Sequence, residues 1–147
     1  MTHSLRLSLL AAGLLLAVPA IPAAEPSAPL NQDGSERIPA ELLLDQIKAT
    51  PYEGRAELRA KLVEAEAHFS DRLGEWERKK DSLPEKERAM ADAQFKQLVR
   101  DREILRQKID GVENSGKETW ESAKSDLHSV LQSTIRTYRK LSTHFRS

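Results

Sequence analysis

Hydrophobic residues recur along most of this chain at three- and four-residue intervals. Leu62, Phe69, Trp76 and Leu83 stand seven apart, Leu58 and Ala65 fill the alternate position, and charged residues lie between. That spacing draws one apolar stripe down a helix and, sustained over heptads with charged flanks, predicts a coiled coil. Ala91, Phe95, Leu98, Leu105, Ile109 and Val112 form a second stripe, and Leu127, Leu131, Thr134, Tyr138, Leu141 and Phe145 a third. Trp120 stands seven residues before Leu127. Opposite charges four apart support the exposed sides: Glu57 with Lys61, Glu75 with Lys79, Asp92 with Lys96. Ala40–Ala49 predicts a shorter helix with Leu43, Leu44 and Ile47 available for packing.

The breaks in the pattern set the element boundaries. Thr50-Pro51-Tyr52-Glu53 and Ser82-Leu83-Pro84-Glu85 both read as capping boxes with proline in the first turn. Pro84 cannot continue the helix before it, so a tight turn is expected over 81–84. Val112 and Leu127 are fifteen residues apart, one more than two heptads, so the stripe slips between Gly111 and Gly116. Ser115-Gly116-Lys117-Glu118 offers a third cap there. The predicted helices are therefore about 40–49, 51–81, 83–112 and 116–145. At 1.5 Å per residue, helix 51–81 is about 46 Å long and an unbroken 83–145 about 94 Å. The first cannot cover the second. The expected fold is all-α: a long antiparallel coiled-coil helical hairpin with an extended second arm, or an up-down-up three-helix bundle if the chain breaks near Gly116.

The N-terminal residues follow another logic. Arg6 precedes a twelve-residue apolar run, Leu7–Val18, and small residues with prolines follow, with cleavage points after Ala20 or Ala23. This is the order of a secretory signal peptide, and the run is too short for a membrane span. Residues 1–23 are read as a signal peptide, 24–39 as a disordered linker and 40–147 as the helical coiled-coil domain. The expected location is periplasmic or secreted.

Composition narrows the function. The 147 residues hold 23 Lys+Arg and 23 Asp+Glu, no Cys, 5% aromatics and a mean hydropathy of −0.58. Zero cysteines exclude disulfides, thiolate metal sites and cysteine nucleophiles. A balanced charge argues against nucleic-acid binding. His68, His128 and His144 have no i,i+4 or H-x-x-H partner for a metal, and no G-x-S-x-G elbow or glycine-rich phosphate loop exists. The acids alternate with bases along helices rather than pairing in an enclosed site. The expectation is a non-enzyme with no catalytic residue, cofactor, metal or small-molecule substrate.

The C-terminal end carries the sharpest local feature. Arg136, Arg139, Lys140 and Arg146 fall in the last twelve residues, and no acid follows Asp126. Ile135, Tyr138, Leu141 and Phe145 run between them, which makes a basic amphipathic helix suited to an anionic membrane or an acidic partner. Leu131, Tyr138, Leu141 and Phe145, with Arg136, Arg139 and Lys140, are the expected partner or membrane contacts, because a hairpin's first arm would leave them uncovered. Leu62, Phe69, Trp76, Leu105 and Ile109 are the expected seam.

Phe95 in a charged helix, the basic and acidic repeats after it, the Gly111–Gly116 break and Ser115-Gly116-Lys117-Glu118-Thr119-Trp120-Glu121-Ser122-Ala123-Lys124 together resemble a family of small bacterial helical-hairpin proteins labelled stress-response proteins. The resemblance spans about 56–145. It departs at Leu131, where relatives carry a second Trp, and in the export signal. It implies a coiled-coil fold and a link to stress, and supplies no catalytic residue. The functional expectation is an exported coiled-coil protein for stress-related scaffolding or protein–protein interaction, self-association included. A periplasmic holdase chaperone and a peripheral membrane-binding helix are the alternatives.

Overall fold

In the computed structural model, residues 37–146 are described, and they form helices joined by short turns, with no strand among them. The signal-peptide segment and all of the expected linker before Arg37 lie outside the described residues. Helix α1 spans Pro39–Ala49, α2 Arg55–Lys79, α3 Glu85–Glu113 and α4 Trp120–Ser142. Single 3-10 turns occupy Tyr52–Gly54, Lys80–Ser82 and Thr143–Phe145.

Each apolar stripe becomes a buried helix face. The expected seam residues Leu62, Phe69, Trp76, Leu105 and Ile109 are all buried in one continuous core. Leu43 and Ile47 of α1 join that core, and Ile38, from the end of the expected linker, is buried with them. Leu83 leaves the heptad and sits half-buried in the turn.

The polar links fix the direction of every helix. Arg59 pairs with Asp110 and Glu113, Glu66 with Arg102, and Lys80 with Asp92, so α2 and α3 run antiparallel. Lys108 meets Asp126 and Asp101 meets Thr137, so α4 runs back along α3. Lys124 reaches the Lys48 carbonyl while Arg139 reaches Glu41, so α1 lies antiparallel to α4. Helix α1 also packs on α2, with Lys61 donating to Gln46 across them. The α2–α3 hairpin is as expected from the turn at 81–84. Of the two expected arrangements the up-down-up one is present: the second arm does not extend, the chain reverses over 114–119, and α1 is laid against α2 and α4.

The turns are closed by chemistry other than the expected caps. The Thr50 hydroxyl donates to Gln46 O and finishes α1, and α2 starts only at Arg55. The Ser82 hydroxyl donates to Lys79 O, while Arg88 reaches back to the carbonyls of Asp81 and Leu83. Gly111 stays helical, and a Cβ there would meet open space. The third turn is instead built on Thr119, whose hydroxyl accepts from the Gly116 N–H at 3.1 Å. Asp92 pairs across the hairpin with Lys80 rather than with Lys96, while the Glu57–Lys61 and Glu75–Lys79 pairs form as read. Trp120 packs edge-on against Tyr52, and its Nε1 donates to Thr50 O at 3.0 Å, which ties the start of α4 to the end of α1.

Leu131 is fully buried, so Leu131→Glu should unfold the chain rather than strip a surface contact. Leu131→Ala should lower the unfolding free energy by about 2–5 kcal/mol in urea titration. Retained helical circular dichroism with native stability in Leu131→Glu would contradict the bundle.

Two surface carboxylates, Glu57 and Glu75, are held low by cations on their own helix. Hydrogen bonds from Lys79 and then Arg72 hold the Glu75 carboxyl below its ordinary value of 4.5. A lowered folded-state value favours the fold above the unfolded value, and that contribution is lost as pH falls through the folded one. The melting temperature should therefore drop as pH falls below about 4.5, and the drop should be shallower in Glu75→Gln.

Candidate functional site

The residues expected to face a partner divide into two groups. Leu131, Tyr138 and Leu141 are buried in the core, and Phe145 is half-buried against it. Trp76 of α2 stacks on Phe145 at 5.4 Å between ring centres and lies 5.0 Å from Tyr138, which also packs on Phe69 at 5.3 Å. The expectation that this apolar stripe is uncovered is corrected by two features: the reversal at 114–119 brings α4 beside α2, and α1 closes over both. Tyr138 keeps a polar link at its hydroxyl, which lies 3.4 Å from His68 Nε2.

The expected cations also separate. Arg139 is half-buried and grips Glu41 through Nε and Nη2, with contacts of 2.7 to 2.9 Å. Glu41 uses its second oxygen on the Ile38 N–H as well, so one carboxylate both caps α1 and bolts it to α4. Such a forked, charge-assisted contact fixes geometry better than a single bond. Arg136, Lys140 and Arg146 remain exposed.

Arg136 and Lys140 fall on the side of α4 opposite its buried stripe. Their neighbours come from α3. The Asp101–Thr137 contact sets the level, which places Lys96 and Arg100 beside the same stretch of α4. Both are exposed. Among the described residues Lys96, Arg100, Arg136 and Lys140 enter no ion pair; Arg100 donates only to Gln97. The nearby acids are already occupied. Asp101 is 7% exposed and accepts from Gln97 and Thr137, Glu103 holds Arg106, and Asp126 holds Lys108. The result is a basic face spanning two helices. Lys96 and Arg100 were not among the expected site residues. Their signal is legible afterwards: between Ala93 and Arg102 the chain has three bases, and its one acid is the buried Asp101.

Between the two helices of this face lies a shallow groove lined by Asp101, Ile104, Val130 and Ser133, with Ile104 46% exposed. Two larger open grooves flank α1. One, of about 470 Å³, lies between α1 and α2 and includes Thr50, Pro51 and Leu58. The other, of about 250 Å³, lies between α1 and α4 and includes Lys48, Lys124 and His128. Lys124 there is committed to the Lys48 carbonyl and to Glu121. Among the described residues no group of three His, Asp or Glu side chains could hold a metal ion, and no helix is long and apolar enough to cross a membrane.

Glu41→Gln should cost about 1–3 kcal/mol and should act mainly on α1. Hydrogen exchange should show residues 39–49 losing protection while α3 keeps its own; equal loss in all four helices would show that α1 is not held separately.

No family model, curated protein or solved structure matches the chain, and nothing there identifies the stress-response family that residues 115–124 resemble.

Proposed function

We propose that this chain is an exported, non-enzymatic helical protein that acts by binding another protein through the outer surface of its bundle, in a stress-related scaffolding role. The observation that carries the reading is the set of unpaired cations shared by α3 and α4. Other cations at helix–helix contacts are paired: Arg139 with Glu41, Arg102 with Glu66, Arg59 with Asp110 and Glu113. A cluster of like charges left unpaired repels itself and favours an anionic partner. Export is supported by the signal-peptide order of residues 1–23.

The apolar side chains that would insert into a membrane or hold an unfolded client lie in the core. The exposed large hydrophobics Leu42, Val63, Met90, Val99 and Ile104 are spread over three helices. Scattered exposure of this kind, among the described residues, supports a charged rather than an apolar binding surface.

Crosslinking in intact cells followed by mass spectrometry tests the proposal. The expected outcome is a crosslinked partner protein attached through lysines of α3 and α4. Recovery of uncrosslinked chain alone, in cells where a control complex is captured, would overturn it.

A further inference from the structure

Within the proposed reading of the chain as a protein-binding module, we infer that the α3–α4 face is the docking surface for an acidic amphipathic segment of the partner, with carboxylates on the cations and one apolar side chain on Ile104 and Val130. Three observations converge on this face. Lys96, Arg100, Arg136 and Lys140 are exposed and unpaired among the described residues. The acids beside them already have partners: Asp101 accepts from Thr137, exposed Glu103 pairs with Arg106 and exposed Asp126 with Lys108. The groove between the helices holds half-exposed Ile104 beside half-buried Val130.

Charge complementarity selects the occupant. Four exposed cations along two antiparallel helices present rows of positive charge on either side of a narrow apolar line. Carboxylates at helical spacing match such rows, and a single apolar anchor between them matches the line. An anionic bilayer would satisfy the cations but would leave the groove without a partner, because no bulky aromatic or leucine projects from this face to enter the lipid. Duplex nucleic acid would likewise use the charges and ignore Ile104. Electrostatic docking of this kind raises the association rate and is screened by salt, whereas the apolar anchor resists salt.

The test uses the full chain and a defined probe: a 20-residue Glu-rich helical peptide carrying one Leu stripe, with its Leu→Ser counterpart as control. The wild-type chain should bind the Leu peptide, with affinity falling as salt rises, and should bind the Ser peptide several-fold more weakly. The triple variant R100E/R136E/K140E replaces exposed residues only, so its circular dichroism should match wild type, and its affinity should fall at least tenfold. Ile104→Ser should weaken binding of the Leu peptide and leave the Ser peptide unchanged. Lys48→Glu, on α1, should leave binding intact. The inference is overturned if the triple variant binds the peptide as wild type does, or if vesicles rich in phosphatidylglycerol or duplex DNA bind better than the peptide. In-cell crosslinking of the triple variant separates this inference from the broader one. A partner still captured keeps the protein-binding role and removes this face as its site; a partner lost with the triple variant supports both.

Discussion

Helix α4 has more apolar surface than two neighbours can cover, and the arrangement of the chain follows from that. Its buried residues, from Trp120 through Leu127, Leu131, Ile135 and Tyr138 to Leu141, spread over about 120° of the helix circumference. A coiled-coil seam is narrower. A helix with so wide a stripe needs partners on three sides, and a two-arm hairpin supplies one. The reversal at 114–119 sets α4 against α3 and brings its inner face to α2, and the remaining flank is met by α1. Helix α1 has eleven residues, about 16 Å, against about 34 Å for α4, so it covers part of that flank only. Beyond its start the closure falls to side chains alone: Trp76 stacked on Phe145, with Tyr138 beneath.

A short helix of this kind does not hold itself. Eleven residues are too few for a stable isolated helix, so α1 depends on its contacts. Ala40, Leu43 and Ile47 supply the apolar part. The polar part sits at its two ends: Glu41 on Arg139 at one, Lys124 and Trp120 on the Lys48 and Thr50 carbonyls at the other. Carbonyls at the end of a helix have no intrahelical donor. Lys124 and Trp120 satisfy two of those near the end of α1, which explains a lysine as deeply buried as Lys124. These contacts also fix register, which an apolar stripe alone leaves free to slide.

The periodic part of this architecture was legible. Leu62, Phe69, Trp76, Leu105 and Ile109 could be placed in a seam from their spacing, because a heptad in a charged background has few other uses. The turn near Pro84 was legible for the same reason. What could not be read was which polar side chain closes each turn. Ser82 and Thr50 have the right identity for helix starts, yet each donates to the helix behind it, and a residue 6 positions past Ser82, Arg88, closes the hairpin. Gly111 and Gly116 both look like break points, but the break depends on Thr119 and on the docking of Trp120 to α1, seventy residues away in sequence. The contact stripe of Leu131, Tyr138 and Phe145 was misplaced by the same gap: a local pattern reports that a face is apolar and leaves open what covers it.

Charge behaves in the opposite way to apolar surface here. An apolar stripe is satisfied inside the fold, so its visibility in sequence says little about partners. A cation is satisfied inside the fold only when an acid stands within reach, and the bundle shows which ones are. Arg139 finds Glu41, and Arg102 finds Glu66. Arg136 and Lys140 stand three residues and one residue from Arg139 on α4 and enter no ion pair among the described residues, and α3 presents Lys96 and Arg100 at the same level. Folding leaves these four cations exposed on neighbouring helices, where none enters an ion pair among the described residues. The neutral total of 23 bases and 23 acids therefore says little about where charge stays unpaired in the fold, as it does at Lys96, Arg100, Arg136 and Lys140.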